Sequence, residues 1–460
     1  CRSGRVTFTV NDPGPGFSVQ WSTDGRRNND GTGLLTIGTA AFTNTGGISF
    51  GLNSTGGITV SSVISAAGGV TKDGIGTGRL ILGGANTYQG TTSITQGFLQ
   101  ITNSDALGSV SAGGAGASTT TISDGAALEL NGTAAITVPE IINANGNGVS
   151  GTPGAIRQIH ATNGATLNGA ITALTGTATS INNDANGLLT IGSGGITNTG
   201  GIIFRTTGTT GGINVTGIIS GVGALTKDGA LTGTGRLVLS AANTYEGTTT
   251  VTNGVLQVRN NDALGSATAG TGTSFTTVSS PAAIEFNGAS ELTIPEDIRI
   301  NGTGFSEAST VNGALRQIAL ASATTLTGGI TSSSASRIEN DATTAINIST
   351  TQITNTALLT FLISTTGDIN ITTTINGAGG ITKDGTGTGS LILNADNGTT
   401  YTGITTVSAG LVKVAHNNAL GATSGNTSIT SGATMQFSGN GLTIPEPITI
   451  NGSGIATNQG

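Results

Sequence analysis

Short runs in which apolar and polar residues alternate recur along the whole chain. Runs such as "RLILG" at 79–83, "TTSIT" at 91–95 and "ALELNG" at 127–132 are bounded by Gly, Asn or Asp. They follow one another about every 8 to 12 residues, the spacing of many short strands joined by turns. No window sustains the i, i+3, i+4, i+7 pattern of an amphipathic helix. The pattern therefore predicts an all-β structure.

The composition narrows the choice among all-β folds. Aromatic residues make up 3% of the chain and Gly supplies 78 of its 460 residues, so there is little bulk to fill the wide core of a sandwich or propeller. A parallel β-solenoid needs only a thin aliphatic core, because each coil stacks about 4.8 Å from the next. With about 20 residues per coil, we expect roughly 22 coils and an elongated single rod of about 100 Å.

Longer segments recur with a period close to 155 residues. The segment "NNDGTGLLTIG" at 28–38 returns as "NNDANGLLTIG" at 182–192 and, with more changes, as "ENDATTAINIS" at 339–349. The motif "TKDG" occurs three times, and its lysines are 155 and 156 residues apart: Lys72, Lys227 and Lys383. Repetition at a fixed period predicts one continuous solenoid. We expect four segments within it: a non-repeat strand or cap at 1–27 and long repeats at 28–181, 182–338 and 339–460, the last incomplete.

Charge and cysteine content exclude several classes of partner and site. The net charge is −7 and the 16 basic residues are scattered singly, so nothing resembles a phosphate-binding stripe and we expect no nucleic-acid partner. No apolar run reaches the roughly 18 residues of a membrane span, so no membrane insertion is expected. The single cysteine, Cys1, excludes an internal disulfide and a Cys-based metal site. We expect a sequence that begins within a longer protein rather than a lipidated Cys1.

The repeated acidic residues indicate structure rather than catalysis. One aspartate follows each "TK" and one glutamate follows each "VP" or "IP": Asp73, Asp228 and Asp384, and Glu140, Glu296 and Glu446. A catalytic constellation is needed once, so recurrence favours roles in turns and at strand ends. His160 and His416 fall at unrelated phases of the repeat and are expected to be solvated. The sequence therefore predicts no catalytic residue, no cofactor and no metal.

The N-terminal segment "RVTFTVNDPGPGFSVQW" at 5–21 has no counterpart later in the chain. It reads as a strand, a turn and an aromatic end, and it contains the only tryptophan. A solenoid end exposes unpaired strands unless something covers it. We therefore expect this segment either to cap the first coil or to contact another molecule, through Val6, Phe8, Val10, Phe17 and Trp21.

The unit "GG[VI]TKDGxGTGxLIL…NTYxGTTxVxxGxLxV", present at 68–101, 223–258 and 379–414, resembles a known family. It is similar to the autotransporter-associated β-strand repeat, also called the passenger-associated transport repeat, of large bacterial surface proteins. The resemblance implies a right-handed parallel β-helix and an extracellular or cell-surface location. It implies no catalytic residues.

Three functions are compatible with these observations. A non-enzymatic structural solenoid, either a surface rod or a subunit of a filament that self-associates head to tail, fits best. An autotransporter-type adhesin passenger that binds glycans or surfaces is the alternative. A polysaccharide-active β-helix enzyme is the third, and it requires carboxylates that converge on one face.

Overall fold

A computed structural model describes the chain over residues 26–29, 31–38, 42–109, 118–229, 234–266, 274–307, 310–318, 322–455 and 458–459. Every regular element in these ranges is a β-strand. Over the same ranges, no helix has the length and apolar character needed to cross a membrane. The chain divides into two compact units, Cys1–Leu225 and Thr226–Gly460.

The strands of the first unit are short, mostly three to five residues. They are β1 (Arg26–Asn29), β2 (Leu35–Ile37), β3 (Phe42–Thr43), β4 (Ile48–Leu52), β5 (Ile58–Val60), β6 (Ile64–Ala66), β7 (Val70–Asp73), β8 (Arg79–Leu82), β9 (Thr87–Tyr88), β10 (Thr92–Ile94), β11 (Gly97–Ile101), β12 (Thr119–Ile122), β13 (Ala126–Leu130), β14 (Ile136–Val138), β15 (Ile141–Ala144), β16 (Gly148–Val149), β17 (Thr152–Pro153), β18 (Ile156–Gln158), β19 (Ala165–Leu167), β20 (Ile171–Ala173), β21 (Thr179–Asn183), β22 (Leu189–Ile191), β23 (Ile196–Asn198), β24 (Ile202–Thr206), β25 (Ile213–Val215) and β26 (Ile219–Ser220).

The strands of the second unit have similar lengths. They are β27 (Leu225–Gly229), β28 (Arg236–Leu239), β29 (Thr249–Val251), β30 (Gly254–Val258), β31 (Thr276–Val278), β32 (Ala282–Phe286), β33 (Leu292–Ile294), β34 (Ile298–Ile300), β35 (Ser306–Glu307), β36 (Thr310–Val311), β37 (Leu315–Ile318), β38 (Thr324–Leu326), β39 (Ile330–Ser332), β40 (Ser336–Asp341), β41 (Ile346–Ile348), β42 (Ile353–Asn355), β43 (Leu359–Ile363), β44 (Ile369–Ile371), β45 (Ile375–Asn376), β46 (Ile381–Asp384), β47 (Ser390–Leu393), β48 (Thr405–Val407), β49 (Gly410–Val414), β50 (Thr427–Ile429), β51 (Ala433–Phe437), β52 (Ile448–Ile450), β53 (Gly454–Ile455) and β54 (Asn458–Gln459).

In each unit the chain winds as a parallel β-solenoid whose turns contribute strands to separate sheets. In the first unit the sheets run in the orders β1-β4-β7-β10-β12-β15-β20-β23-β26, β2-β5-β8-β11-β13-β18-β21-β24, β3-β6-β9 and β14-β19-β22-β25. In the second unit they run in the orders β27-β29-β31-β34-β39-β42-β45, β28-β30-β32-β37-β40-β43-β46-β48-β50-β52 and β33-β38-β41-β44-β47-β49-β51. The predicted all-β parallel solenoid is thereby confirmed.

The register between turns places like residues on top of one another. Ile156 of β18 pairs with Ile181 of β21, which pairs with Phe204 of β24, and all three are fully buried. Three-residue strands such as β22 bury their first and third residues and leave the middle residue half-buried. This alternation produces the thin aliphatic core that the sequence predicts.

The coils are larger and fewer than the sequence estimate of about 20 residues and roughly 22 coils. Paired residues of successive turns are as close in sequence as Leu80 and Leu99, and as far apart as Ile298 and Ile330. The described residues form about 17 turns. The estimate was wrong because loops and hairpins lengthen many turns without adding another one.

Within the described residues, three antiparallel hairpins are present, formed by β16–β17, β35–β36 and β53–β54. In the second unit, Phe305 lies just before β35 and packs with Val255 of β30 and Ala283 of β32. All five residues of β30 and of β32 are buried. The segment that carries the hairpin therefore covers a sheet face that would otherwise meet solvent.

Replacing Ile181 with alanine should cost about 2–5 kcal/mol of unfolding free energy, because a rigid stack of aliphatic side chains cannot close the cavity. Thr190→Ala, at the half-buried middle position of β22, is the matched control and should change stability by no more than about 0.5 kcal/mol. Urea denaturation of both variants measures the difference. Equal losses of stability would contradict the stacked core.

Candidate functional site

Three lysines are completely buried within the coils, and they are those of the "TKDG" motifs: Lys72, Lys227 and Lys383. The alternating burial of β7 places Lys72 on the inner face. Its Nζ donates hydrogen bonds to the carbonyl oxygens of Asp73 at 2.8 Å, Gly74 at 3.2 Å and Gln96 at 3.0 Å. Gln96 lies in the next turn, just after β10, which pairs with β7. The ammonium group therefore ties two turns together at a corner.

The other two lysines make equivalent contacts with the following turn. The Nζ of Lys227 donates to the carbonyl oxygen of Asn253 at 3.1 Å, and that of Lys383 donates to the carbonyl oxygen of Ala409 at 3.2 Å. Burial lowers the pKa of each of the three ammonium groups to about 8, against the smaller raising effect of the adjacent aspartate. Because the pKa is lower in the folded chain than in the unfolded chain, protonation of these lysines opposes folding. The stability linked to this titration is fully present above pH 10.5 and is lost as pH falls through about 8.

The aspartate of each "TKDG" motif is the last or the next-to-last residue of its strand and shapes the turn, as predicted. The Asp73 carboxylate accepts hydrogen bonds from the Gly74 N–H at 2.8 Å and from the Thr95 hydroxyl at 3.0 Å. Gly74 has a φ of +89°, and a Cβ there would lie 2.4 Å from the carbonyl oxygen of Leu52 in the previous turn. The turn therefore requires glycine for both its backbone conformation and its close approach.

A second kind of corner depends on the buried asparagine that precedes the aspartate in the recurring "NND" and "END" segments: Asn29, Asn183 and Asn340. The Asn183 Nδ2 donates to the carbonyl oxygens of Gly187 and Gly212, both at 2.7 Å, and its Oδ1 accepts from the Ala185 N–H at 3.1 Å. Gly212 lies in the next turn, just before β25. The sequence reasoning missed this role, although the recurring second Asn of "NND" was its signal.

Charged side chains also form a ladder of alternating sign on one sheet. The carboxylate of Glu129, which is fully buried, accepts hydrogen bonds from Arg79 at 2.5 Å and from Arg157 at 2.7 Å. Arg157 also pairs with Asp184 at 2.7 Å. Because the charges on these neighbouring turns have opposite signs, they attract one another.

The second unit repeats this ladder, and its hairpin takes part. Glu285 pairs with Arg236 at 2.6 Å and with Arg316 at 3.3 Å. Glu307 of the hairpin strand β35 pairs with Arg236 at 3.1 Å, and Arg316 also contacts Asp341. The hairpin is therefore fastened to the sheet by ion pairs as well as by the packing of Phe305.

The glutamate of each "PE" dipeptide lies in a bend one or two residues before a strand, in agreement with the predicted turn role, but its burial was not foreseen. The three residues are Glu140, Glu296 and Glu446. Both carboxylate oxygens of Glu140 and of Glu296, and Oε2 of Glu446, have no hydrogen-bond partner in the structure. Burial raises the pKa of Glu140 to about 7, of Glu296 to about 8 and of Glu446 to about 7.

The two histidines are not brought together, and they cap local turns. The Nδ1 of His160 accepts the backbone N–H of Asn163 at 3.0 Å, and that of His416 accepts the N–H of Asn418 at 3.2 Å. Both rings are half-buried rather than fully solvated. Across the ranges given above, no group of three or more His, Cys, Asp or Glu residues could hold a metal ion.

The predicted capping or inter-subunit contacts cannot be placed on this fold. Val6, Phe8, Val10, Phe17 and Trp21 lie outside the described residues. They stay a prediction, as does the division of the chain into three long repeats.

Comparison with known proteins identifies a repeat that contains Lys383 and that begins shortly after Lys72 and Lys227. The sequence model of the Passenger-associated-transport-repeat family matches residues 75–101, 231–258 and 381–414. The predicted resemblance is confirmed at three repeats, which together cover about a fifth of the chain. Neither the curated proteins nor the solved structures contain a match to the chain.

Replacing Lys383 with methionine should destabilise the fold by about 1–3 kcal/mol, because the backbone carbonyl oxygens around Nζ lose their donor. The half-exposed Lys413 supplies the control, and Lys413→Met should change the unfolding free energy by less than about 0.5 kcal/mol. Urea unfolding at pH 7 compares the two variants. Two variants of equal stability would show that the buried ammonium group does not hold the corner.

Proposed function

We propose that this chain is a non-enzymatic structural part of a passenger-type β-helix, which acts mechanically as a rod at a bacterial surface or in the extracellular space. The passenger-associated repeats imply a secreted or surface-exposed protein. The observation that carries the proposal is that polar side chains in those repeats are buried and bond to the backbone. Lys383 and Asn397, both within the matched residues, are buried and bonded to backbone groups of neighbouring turns.

These bonds between turns explain why the same polar residues recur along the chain without taking part in a reaction. Asn397 accepts the N–H of Ile375 from the previous turn at 2.8 Å and donates to the carbonyl oxygen of Ala419 in the next turn at 2.8 Å. A side chain that spans three turns stiffens a stack of coils, and the same residue is useful in every repeat. A reactive constellation would instead differ between repeats, since one copy is enough.

Head-to-tail assembly into a filament is the second candidate, and one observation favours it. Successive turns pair in register, as Ile156, Ile181 and Phe204 do. The same pairing would join a turn of a second copy of the chain to the strand edges of the first. Adhesion through side loops stays a prediction from the family resemblance.

Deletion of residues 182–338 tests the mechanical proposal, because it removes one predicted long repeat. It joins Ile181 of β21 to Glu339 of β40, so the two half-strands form one strand with the alternation of inward and outward residues unchanged. The shortened chain should fold and give particles about 30 Å shorter than the full chain in negative-stain electron microscopy, since about six coils are removed. Deletion of 182–260, which cuts the repeat at another phase, is the control and should misfold.

The images separate the candidates. Isolated particles of two lengths support a rod, and regular polymers of the full chain support a filament. Particles of unchanged length after the in-register deletion would contradict the proposal of a mechanical stack.

A further inference from the structure

Each long repeat encloses a cluster of buried polar side chains that the corners do not use. Each cluster contains one tyrosine, two threonines and one glutamate: Tyr88, Thr92, Thr120 and Glu140; Tyr245, Thr249, Thr276 and Glu296; Tyr401, Thr405, Thr427 and Glu446. The two threonines are paired across neighbouring turns in every case. The tyrosine hydroxyl lies 2.5 Å from the Thr92 oxygen in the first cluster and 2.6 Å from the Thr249 oxygen in the second.

The surroundings of these glutamates disfavour a negative charge. In the second cluster the titratable groups that act on the Glu296 carboxyl are the Tyr245 hydroxyl and the Asp262 carboxylate, which repels it. Tyr88 and Asp105 occupy the same places around Glu140. An ionised carboxylate there would be removed from water and placed beside a like charge, and both effects favour the neutral acid over the anion.

The third cluster differs in two ways that both favour the carboxylate. The position of Asp105 and Asp262 in "NSDALGS" and "NNDALGS" is Asn418 in "HNNALGA", so the like charge is removed. The Thr427 hydroxyl also donates to Glu446 Oε1 at 2.9 Å. Tyr401 is the titratable group that faces Glu446. Burial raises the pKa of Glu296 to about 8 and those of Glu140 and Glu446 to about 7, so Glu296 is the most strongly disfavoured as an anion.

We propose that the three glutamates are proton latches: each is a neutral carboxylic acid in the folded coil, and its ionisation loosens the turns that enclose it. The proposal rests on the burial, the unpartnered oxygens and the paired threonines of the clusters, and it is independent of the mechanical function proposed above. If so, the stability of the turns around each of the three glutamates depends on pH.

The direction of the pH effect follows from linkage. The pKa of Glu296 is raised from 4.5 to about 8 in the folded chain, so the unfolded state binds fewer protons between these values. The stabilisation is fully present below pH 4.5 and is lost as pH rises through about 8. The buried lysines change stability in the opposite direction, mainly above pH 8, and burial raises the pKa of the tyrosines out of this range.

The test compares the full-length chain with its Glu296→Gln variant in urea denaturation from pH 5 to pH 8. The ratio of the unfolding constant of the unaltered chain to that of the variant should rise about tenfold per pH unit, since one proton is released on unfolding. Glu246→Gln, at an exposed position of the same repeat, is the control, and the corresponding ratio should stay constant. A constant ratio for Glu296→Gln would overturn the latch.

Infrared spectroscopy gives a readout that does not depend on unfolding. The folded chain at pH 6.5 should show the carbonyl band of protonated carboxylic acids, and the band should disappear between pH 7 and pH 9. The variant with Glu140, Glu296 and Glu446 all changed to Gln should lack it. If the triple variant does not fold, Glu296→Gln alone should weaken the band, because the other two glutamates still contribute to it. Absence of the band from the unaltered chain at pH 6.5 would overturn the proposal even if all variants were stable.

Discussion

The structure depends on parallel backbone pairing between one turn and the next. In a parallel ladder each residue of a turn lies above its counterpart, so the same side-chain position is repeated about every 4.8 Å along the stack. Ile156, Ile181 and Phe204 show what this requires of the core, which is a column of apolar side chains of similar size. A residue that suits one turn suits the next, and this is why a few residue types recur throughout the chain.

Parallel pairing also leaves backbone groups at the corners without a partner in the ladder. Where the chain leaves one sheet for the next, carbonyl and N–H groups turn inward, away from the ladder and away from water. The structure fills these places with side chains that carry several donors or both donors and acceptors, such as Lys72 and Asn183. A buried ammonium group costs free energy, as its lowered pKa shows, but an unbonded ring of carbonyl oxygens would also be costly.

The fold class could be predicted from the sequence because its signals are local. Alternating triplets, Gly-rich turns and the long period all indicate a parallel solenoid, and the register confirms it. The burial of Lys72 and Glu140 could not be predicted, because both residue types are normally exposed and only the neighbouring turns enclose them. The recurrence of a charged residue within the same motif is a sequence signal for such burial. It indicates a role in a turn, and it also marks a buried hydrogen bond between neighbouring turns.

The number of residues per turn was also predicted wrongly, again because it depends on contacts that the sequence does not show. The number of residues in a turn depends on what lies between strands, such as the hairpin that contains Glu307, and a hairpin that folds back over a sheet looks like any other turn in the sequence. The ion ladder of Glu285 and Arg316 was missed for this reason too, because these residues are 31 positions apart and become neighbours only when the coil length is known.

Hydrogen exchange at the asparagine corners measures the central claim most directly. The amides of Gly31, Ala185 and Ala342 lie outside the strands, yet each donates to the Oδ1 of a buried asparagine. If side chains in the corners hold the turns together, these three amides should exchange as slowly as those of the neighbouring strands. Exchange at the rate of an open loop would contradict the account.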